Sequence, residues 1–177
     1  DVAREGARAT GDRVAEVMAD ESAAMLLASA GRFDEARAPA ERSLALARRI
    51  ASRRFAAVDL LVLGYADHHA GDLAKARALV DEAWALCVEI GVGFGGPIAL
   101  GAKALMAADD AGRRDAISRG EALLDSGSLS HNHLWFRRDA IDASEIERRT
   151  ENTRCIESEK PETRISGVMT LMNRLSR

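Results

Sequence analysis

The segment at residues 70–90, AGDLAKARALVDEAWALCVEI, aligns without a gap on the segment at 30–50, AGRFDEARAPAERSLALARRI. Ala30, Gly31, Ala36, Arg37, Ala38, Leu46 and Ile50 recur as Ala70, Gly71, Ala76, Arg77, Ala78, Leu86 and Ile90. A second step of the same length reaches AGRRDAISRGEALL at 111–124, where Ala116 follows Ala76 and Leu123 follows Ala83. In this weaker copy the glycine is displaced by one, to Gly112. A fixed period of about 40 residues is the signature of stacked structural repeats.

Each copy is preceded by a second apolar-periodic run. Before Gly71, FAAVDLLVLGYADHHA places Leu60, Leu63 and Ala66 at helical spacing. The unit therefore reads as helix, tight turn, helix. Gly31, Gly71 and Gly112 are expected to supply positive φ at helix C-termini, and Asp72 to cap the helix that follows. Pro39 falls in the first turns of its helix, where proline is tolerated. Pro97 and the glycines of GVGFGGP (91–97) mark the connection between the second and third repeats. Two helices joined by so short a turn must pack antiparallel, and alanine at the crossing lets their axes approach. One such pair cannot bury both of its faces, so pairs stack.

The expected fold is all-α: an α-solenoid of about three antiparallel helix pairs plus a terminal helix. The repeats would cover about 13–52, 53–92 and 93–127, with the terminal helix at 131–147. Residues 1–12 read as an N-terminal lead-in and 148–177 as an atypical, partly disordered tail. Composition sharpens that last boundary, because alanine is the dominant residue up to Ala143 and is absent from the rest of the chain. The polar stretch 151–165, with Pro161, is expected to be disordered, and ISGVMTLMNRLSR to form at most one short helix.

Composition also narrows function. Aromatic residues make up 4% of the chain and the formal net charge is −3. Neither favours a base-stacking surface, and the charge gives no footprint for nucleic acid or an anionic membrane. The longest apolar run, LLVLGYA, is far below the roughly 18 residues of a membrane span. Cys87 and Cys155 have no metal-ligand or redox spacing, so a reducing cytoplasm is the expected setting.

Leu63-Gly64, Gly71-Asp72-Leu73, Ala76, Val80 and Ala83 resemble the tetratricopeptide (TPR) signature, with a period longer than the usual one of about 34 residues. The block 93–144, and within it SHNHLWF-RDAI-AS (130–144), is similar to the C-terminal TPR region of large bacterial proteins that join a class III adenylate/guanylate cyclase, an ATPase module and TPR repeats. That resemblance stops at Ser144. It implies a non-catalytic interaction or regulatory region of a signalling protein. Its partner would be a protein, a peptide or other domains of the parent chain, without nucleic acid, membrane or cofactor. The alternative is a similar module of a bacterial transcription regulator whose DNA-binding domain lies outside this chain. The resemblance also places Tyr65, His68 and His69, with Met18, Glu21 and Met25 of the first repeat, on the face lining a concave groove. A groove of that chemistry suits a peptide.

The remaining motifs have plainer readings. His131 and His133 are two residues apart, which on a helix aims them about 200° apart, and a zinc site needs three or four convergent ligands. They read as part of a helix N-terminus capped by Ser130 or Asn132, with Leu134, Trp135 and Phe136 covering the end of the third repeat. GVGFGGP lacks the lysine and the preceding strand of a phosphate loop. RRIASRR (48–54) reads as a basic helix C-terminus. Cys87 and Trp84 read as packing residues. No catalytic set appears at recognisable spacing, so the chain is not expected to be an enzyme.

Overall fold

The computed structural model describes residues 2–127 and 130–159, with side chains for 2–127 and 131–154. These residues form helices α1 (Val2–Thr10), α2 (Arg13–Ser29), α3 (Phe33–Arg49), α4 (Arg53–His69), α5 (Leu73–Ile90), α6 (Gly96–Leu105), α7 (Asp110–Asp125) and α8 (Ser130–Glu159), and no strand. The chain divides into two units, Asp1–Ala143 and Ser144–Arg177.

The first unit is an α-solenoid of three antiparallel pairs, α2/α3, α4/α5 and α6/α7. Each pair packs on the next through α3 against α4 and α5 against α6. The first helices of successive pairs also touch, α2 with α4 and α4 with α6, which makes them one layer. Within the expected lead-in 1–12, Val2–Thr10 form a helix of their own. It packs on α2, with Arg8 donating to Glu16 at 2.6 Å and Arg4 lying 3.9 Å from Asp20.

The turns explain the register. Positive φ occurs at Gly11, Gly31, Ala51, Gly71, Gly91 and Gly127. The first five are evenly spaced, so each of the first two repeats is built of two equal helix-and-turn halves. In the first four turns the N–H after that residue closes back on the preceding helix. The pairs are Asp12 to Ala7, Arg32 to Leu27, Ser52 to Ala47 and Asp72 to Asp67, at 2.9–3.0 Å. Asp12, Asp72 and Asp109 then cap the next helix through their side chains.

Gly112 does not belong to this set. It lies inside α7 and donates its N–H to Asp109 at 2.7 Å, because the third turn closes earlier, at Met106–Asp109. The longer 91–95 connection delays the start of α6 to residue 96, and α7 follows early, at 110, so the third pair falls out of step with the first two. Pro39 sits in the second turn of α3, past its first turn, and leaves the Glu35 carbonyl without its helical donor. Arg53 and Arg54 open α4 instead of extending a helix C-terminus. There Arg53 pairs with Glu89 at 3.1 Å.

Small residues hold the pairs close. Ala36, Ala40 and Ala47 of α3 and Ala76 and Ala83 of α5 are fully buried. At Gly64, beside the buried Leu63, a Cβ would meet Val80 Cγ2 at 2.8 Å, so α4 and α5 cross with no room for alanine. The repeated arginine ties neighbouring pairs. Arg37 donates to buried Asp67 at 2.6 Å, and Arg77, its equivalent, donates to the Met106 carbonyl at 2.6 Å.

The N-terminal part of α8 completes this unit. Phe136 is buried against Gly120 of α7 and Gly101 of α6, and the Tyr65 hydroxyl donates to buried Asp139. Asn132 is inside the helix, not at its cap, and donates to the Gly93 carbonyl at 3.2 Å. Leu134, expected to cover the third repeat, is 75% exposed, because it lies two residues from Phe136 and faces the other way. In the second unit α8 continues to Glu159, which takes in 151–159 of the stretch expected to be disordered. The run 144–159 contains neither proline nor glycine, and Glu145 pairs with Arg148 and Arg149. Pro161 and ISGVMTLMNRLSR lie outside the described residues.

Candidate functional site

A cavity of about 280 Å³ opens on the layer of first helices. Its walls are apolar: Met25 from α2, Leu61 and Val62 from α4, Cys87 from α5, Ile98 from α6 and Trp135 from α8. Glu21, Arg54 and His131 add the ionisable groups. Phe94, from the loop before α6, also lines it; the Arg54 guanidinium lies 3.8 Å from its ring centroid and the His131 ring 6.3 Å away. Two glycines of GVGFGGP serve packing: a Cβ at Gly95 would come within 3.2 Å of the Cys87 sulfur, and one at Gly96 within 3.0 Å of Val92 Cβ.

Tyr65 forms one end of the cavity and is held on all sides. Its ring is 5.6 Å from Trp135 and 6.4 Å from Phe33, and Arg138 lies 4.3 Å from the Trp135 ring. Asp139 accepts from Tyr65 and, at 2.8 and 3.0 Å, from Arg138. Burial pushes the Asp139 carboxyl above its ordinary range, against the pull of Arg138 and the Tyr65 hydrogen bond. Burial likewise holds the Tyr65 hydroxyl well above 10, helped by the Asp139 charge. This group is a protonated, oriented donor and not a base.

The six expected groove residues separate. Glu21, Met25 and Tyr65 meet at the cavity. Met18 is half exposed on α2, outside it. His68 and His69 lie beyond Tyr65, in a shallower cavity of about 300 Å³ shared with Phe33, Arg138 and Asp142. Burial, then the neighbouring His69 and Arg77, lowers the His68 value, so its imidazole is neutral. Phe33 is 5.2 Å from His69. Trp135 is a wall of the site as well as a packing residue, and Phe136 is packing only. Sequence reasoning missed Arg54, Phe94 and His131 as lining groups. Their clustering comes from helix stacking between segments far apart in the chain and leaves no local pattern.

The charge balance of the cavity is specific. Burial pushes the Glu21 carboxyl up to about 7, opposed by the charge of Arg54. No hydrogen bond or ion pair reaches Glu21 from the described residues. Burial also pushes the Cys87 thiol up to about 11, which leaves it protonated and poorly nucleophilic. His131 and His133 do not converge: among the described residues no group of three His, Cys, Asp or Glu side chains is placed to hold a metal ion. No helix among those residues is long and apolar enough to cross a membrane.

No protein-family model matches this sequence, and comparison with curated proteins and with solved structures returns no similar one.

Proposed function

We propose that this chain is a non-catalytic protein-interaction module, and that the cavity on its layer of first helices receives an apolar side chain of a partner peptide. The observation that carries the reading is the cavity itself. It is concave, of side-chain size, apolar on its walls and bordered by a few polar groups, which is the usual make-up of a recognition pocket. Its walls come from every helix pair and α8, so occupying it would bear on the whole repeat unit. The resemblance of residues 93–144 supports a finer reading, in which the module is the regulatory region of a cyclase-type signalling protein.

The test is selection of a random dodecapeptide display library on the full chain, followed by measurement of each selected peptide's binding to Ile98→Trp, which fills the cavity. Peptides that carry a large apolar residue and bind the variant at least about tenfold more weakly are expected. The comparison applies once both proteins show the same thermal midpoint, and Ala57→Leu serves as a second filling variant. Selected peptides that bind wild type and both variants equally would overturn the reading. For the finer one, the open reading frame upstream should encode cyclase and ATPase domains, and a complete unrelated gene ending there would remove it.

A further inference from the structure

Resting on that reading, we infer that the bound segment is basic: beside its apolar anchor it presents a lysine or arginine to Glu21. Among the described residues, Glu21 is the one carboxylate lining the cavity. It is partly buried on α2, and no described donor bonds to it. A docking peptide strips more water from it, and a carboxylate desolvated without a partner is strongly disfavoured. An occupant that brings a donor, best a cation, removes that cost, whereas a wholly apolar one leaves the group to take up a proton.

Arg54 does not supply one from the protein. Its guanidinium is stacked on Phe94, it is exposed, and it forms no ion pair within 4 Å among the described residues. It is exposed where Glu21 is partly buried, so its demand for a partner is the weaker of the two. Nearby Asp20 is already paired with Arg42 at 2.6 Å and Asp59 is fully buried, so Glu21 is the acidic group that an occupant of the cavity reaches.

The shape of the apolar surface favours an extended occupant over a small molecule. Val14 and Met18, each 50% exposed, lie one turn apart on α2 and lead along that helix to Glu21 and to Met25 in the cavity. A segment running along α2 would cover this stripe and deliver its anchor and its basic residue together.

Peptides from the library selection, synthesised with the residue beside the anchor as Lys, Gln or Glu, test this by fluorescence anisotropy. Lys should bind about tenfold more tightly than Gln, and Glu more weakly still. Glu21→Gln should flatten the series and leave Ile98→Trp sensitivity intact. Selected peptides that depend on the cavity but show no basic residue, prefer Glu, or ignore Glu21→Gln would sink this inference and leave the interaction reading standing. Absence of any cavity-dependent peptide would sink both.

Discussion

Asp59 offers the sharpest test of how this core is balanced. It lies on α4 with no exposure, and neither carboxylate oxygen meets a donor at hydrogen-bond geometry. The Ser43 hydroxyl, which donates to the Val17 carbonyl at 3.3 Å, is near enough to favour the charged form. Burial outweighs it, with the charges of Glu21 and Asp20 adding to the effect, and the carboxyl is pushed up to about 8 from 3.8. The group is therefore neutral in the folded chain at pH 7 and ionised in the unfolded one.

The sign follows from linkage. A carboxyl whose folded value is raised makes the folded state bind the extra proton, so stability falls as pH rises from about 4 to about 8. Each unit of pH in that window costs about 1.4 kcal/mol, or roughly 4 kcal/mol accumulated by pH 7. Asp59→Asn keeps the shape and removes the titration. Its amide still buries unmatched polar atoms, at a cost of roughly 1–3 kcal/mol, but the protonated acid suffers a similar one. The variant should match the native chain near pH 4 and be roughly 4 kcal/mol more stable at pH 7, with the gap levelling off above pH 8. Urea denaturation followed by far-UV circular dichroism across this range measures the difference directly. A gap that does not change with pH, or a variant less stable at pH 7, would refute the argument that desolvation dominates at this site.

Three further substitutions probe the packing, each read as a shift in thermal or urea midpoint against the native chain. Ala51 holds φ of 57° where the equivalent turns carry glycine, so Ala51→Gly should stabilise by roughly 1 kcal/mol, and a loss would mean the turn is not strained. A Cβ at Gly120 would lie 2.0 Å from Phe136 Cε2, and that ring is buried; Gly120→Ala should cost roughly 1–3 kcal/mol through overpacking, and an unchanged midpoint would show that α8 gives way freely. Tyr65→Phe leaves buried Asp139 with Arg138 as its remaining side-chain donor, so a loss of roughly 1–3 kcal/mol is expected, and a neutral result would mean water replaces the hydroxyl.

The fold was largely legible because its determinants are local and repeat. Small residues at Ala36, Ala76 and Ala83 and glycines at turns 31 and 71 follow from helix geometry, and a period makes them visible twice. The half-period was legible as well, in Gly11, Gly31, Gly71 and Gly91, but alanine at 51 hides it. The third pair misled, because a sequence offset assumes equal helix lengths, and α6 has 10 residues where α2 and α4 have 17. The buried acids were not legible. Asp59, Asp67 and Asp139 sit in helices where polarity argues for the surface, and their burial depends on which neighbour arrives: Arg37 and Lys75 for Asp67, Tyr65 and Arg138 for Asp139.

The same irregularity accounts for the cavity. A regular third pair would present a first helix as long as α4 beside it and continue the inner layer. Instead α6 is short and is preceded by the loop 91–95. The first turns of α8 occupy the vacated position, which Gly101 and Gly120 allow: at 101 a Cβ would press on the Phe136 backbone at 3.2 Å, and at 120 it would overlap the ring. Phe136 fills the space toward α7, while Trp135, one residue earlier, turns toward Tyr65 and the open layer. Phe94 and His131 close the side that α6 leaves uncovered. An open groove thus becomes a pocket of side-chain size because the repeat breaks there: beside Tyr65 of α4, its aromatic walls come from α8 and the loop, the two segments that do not obey the repeat.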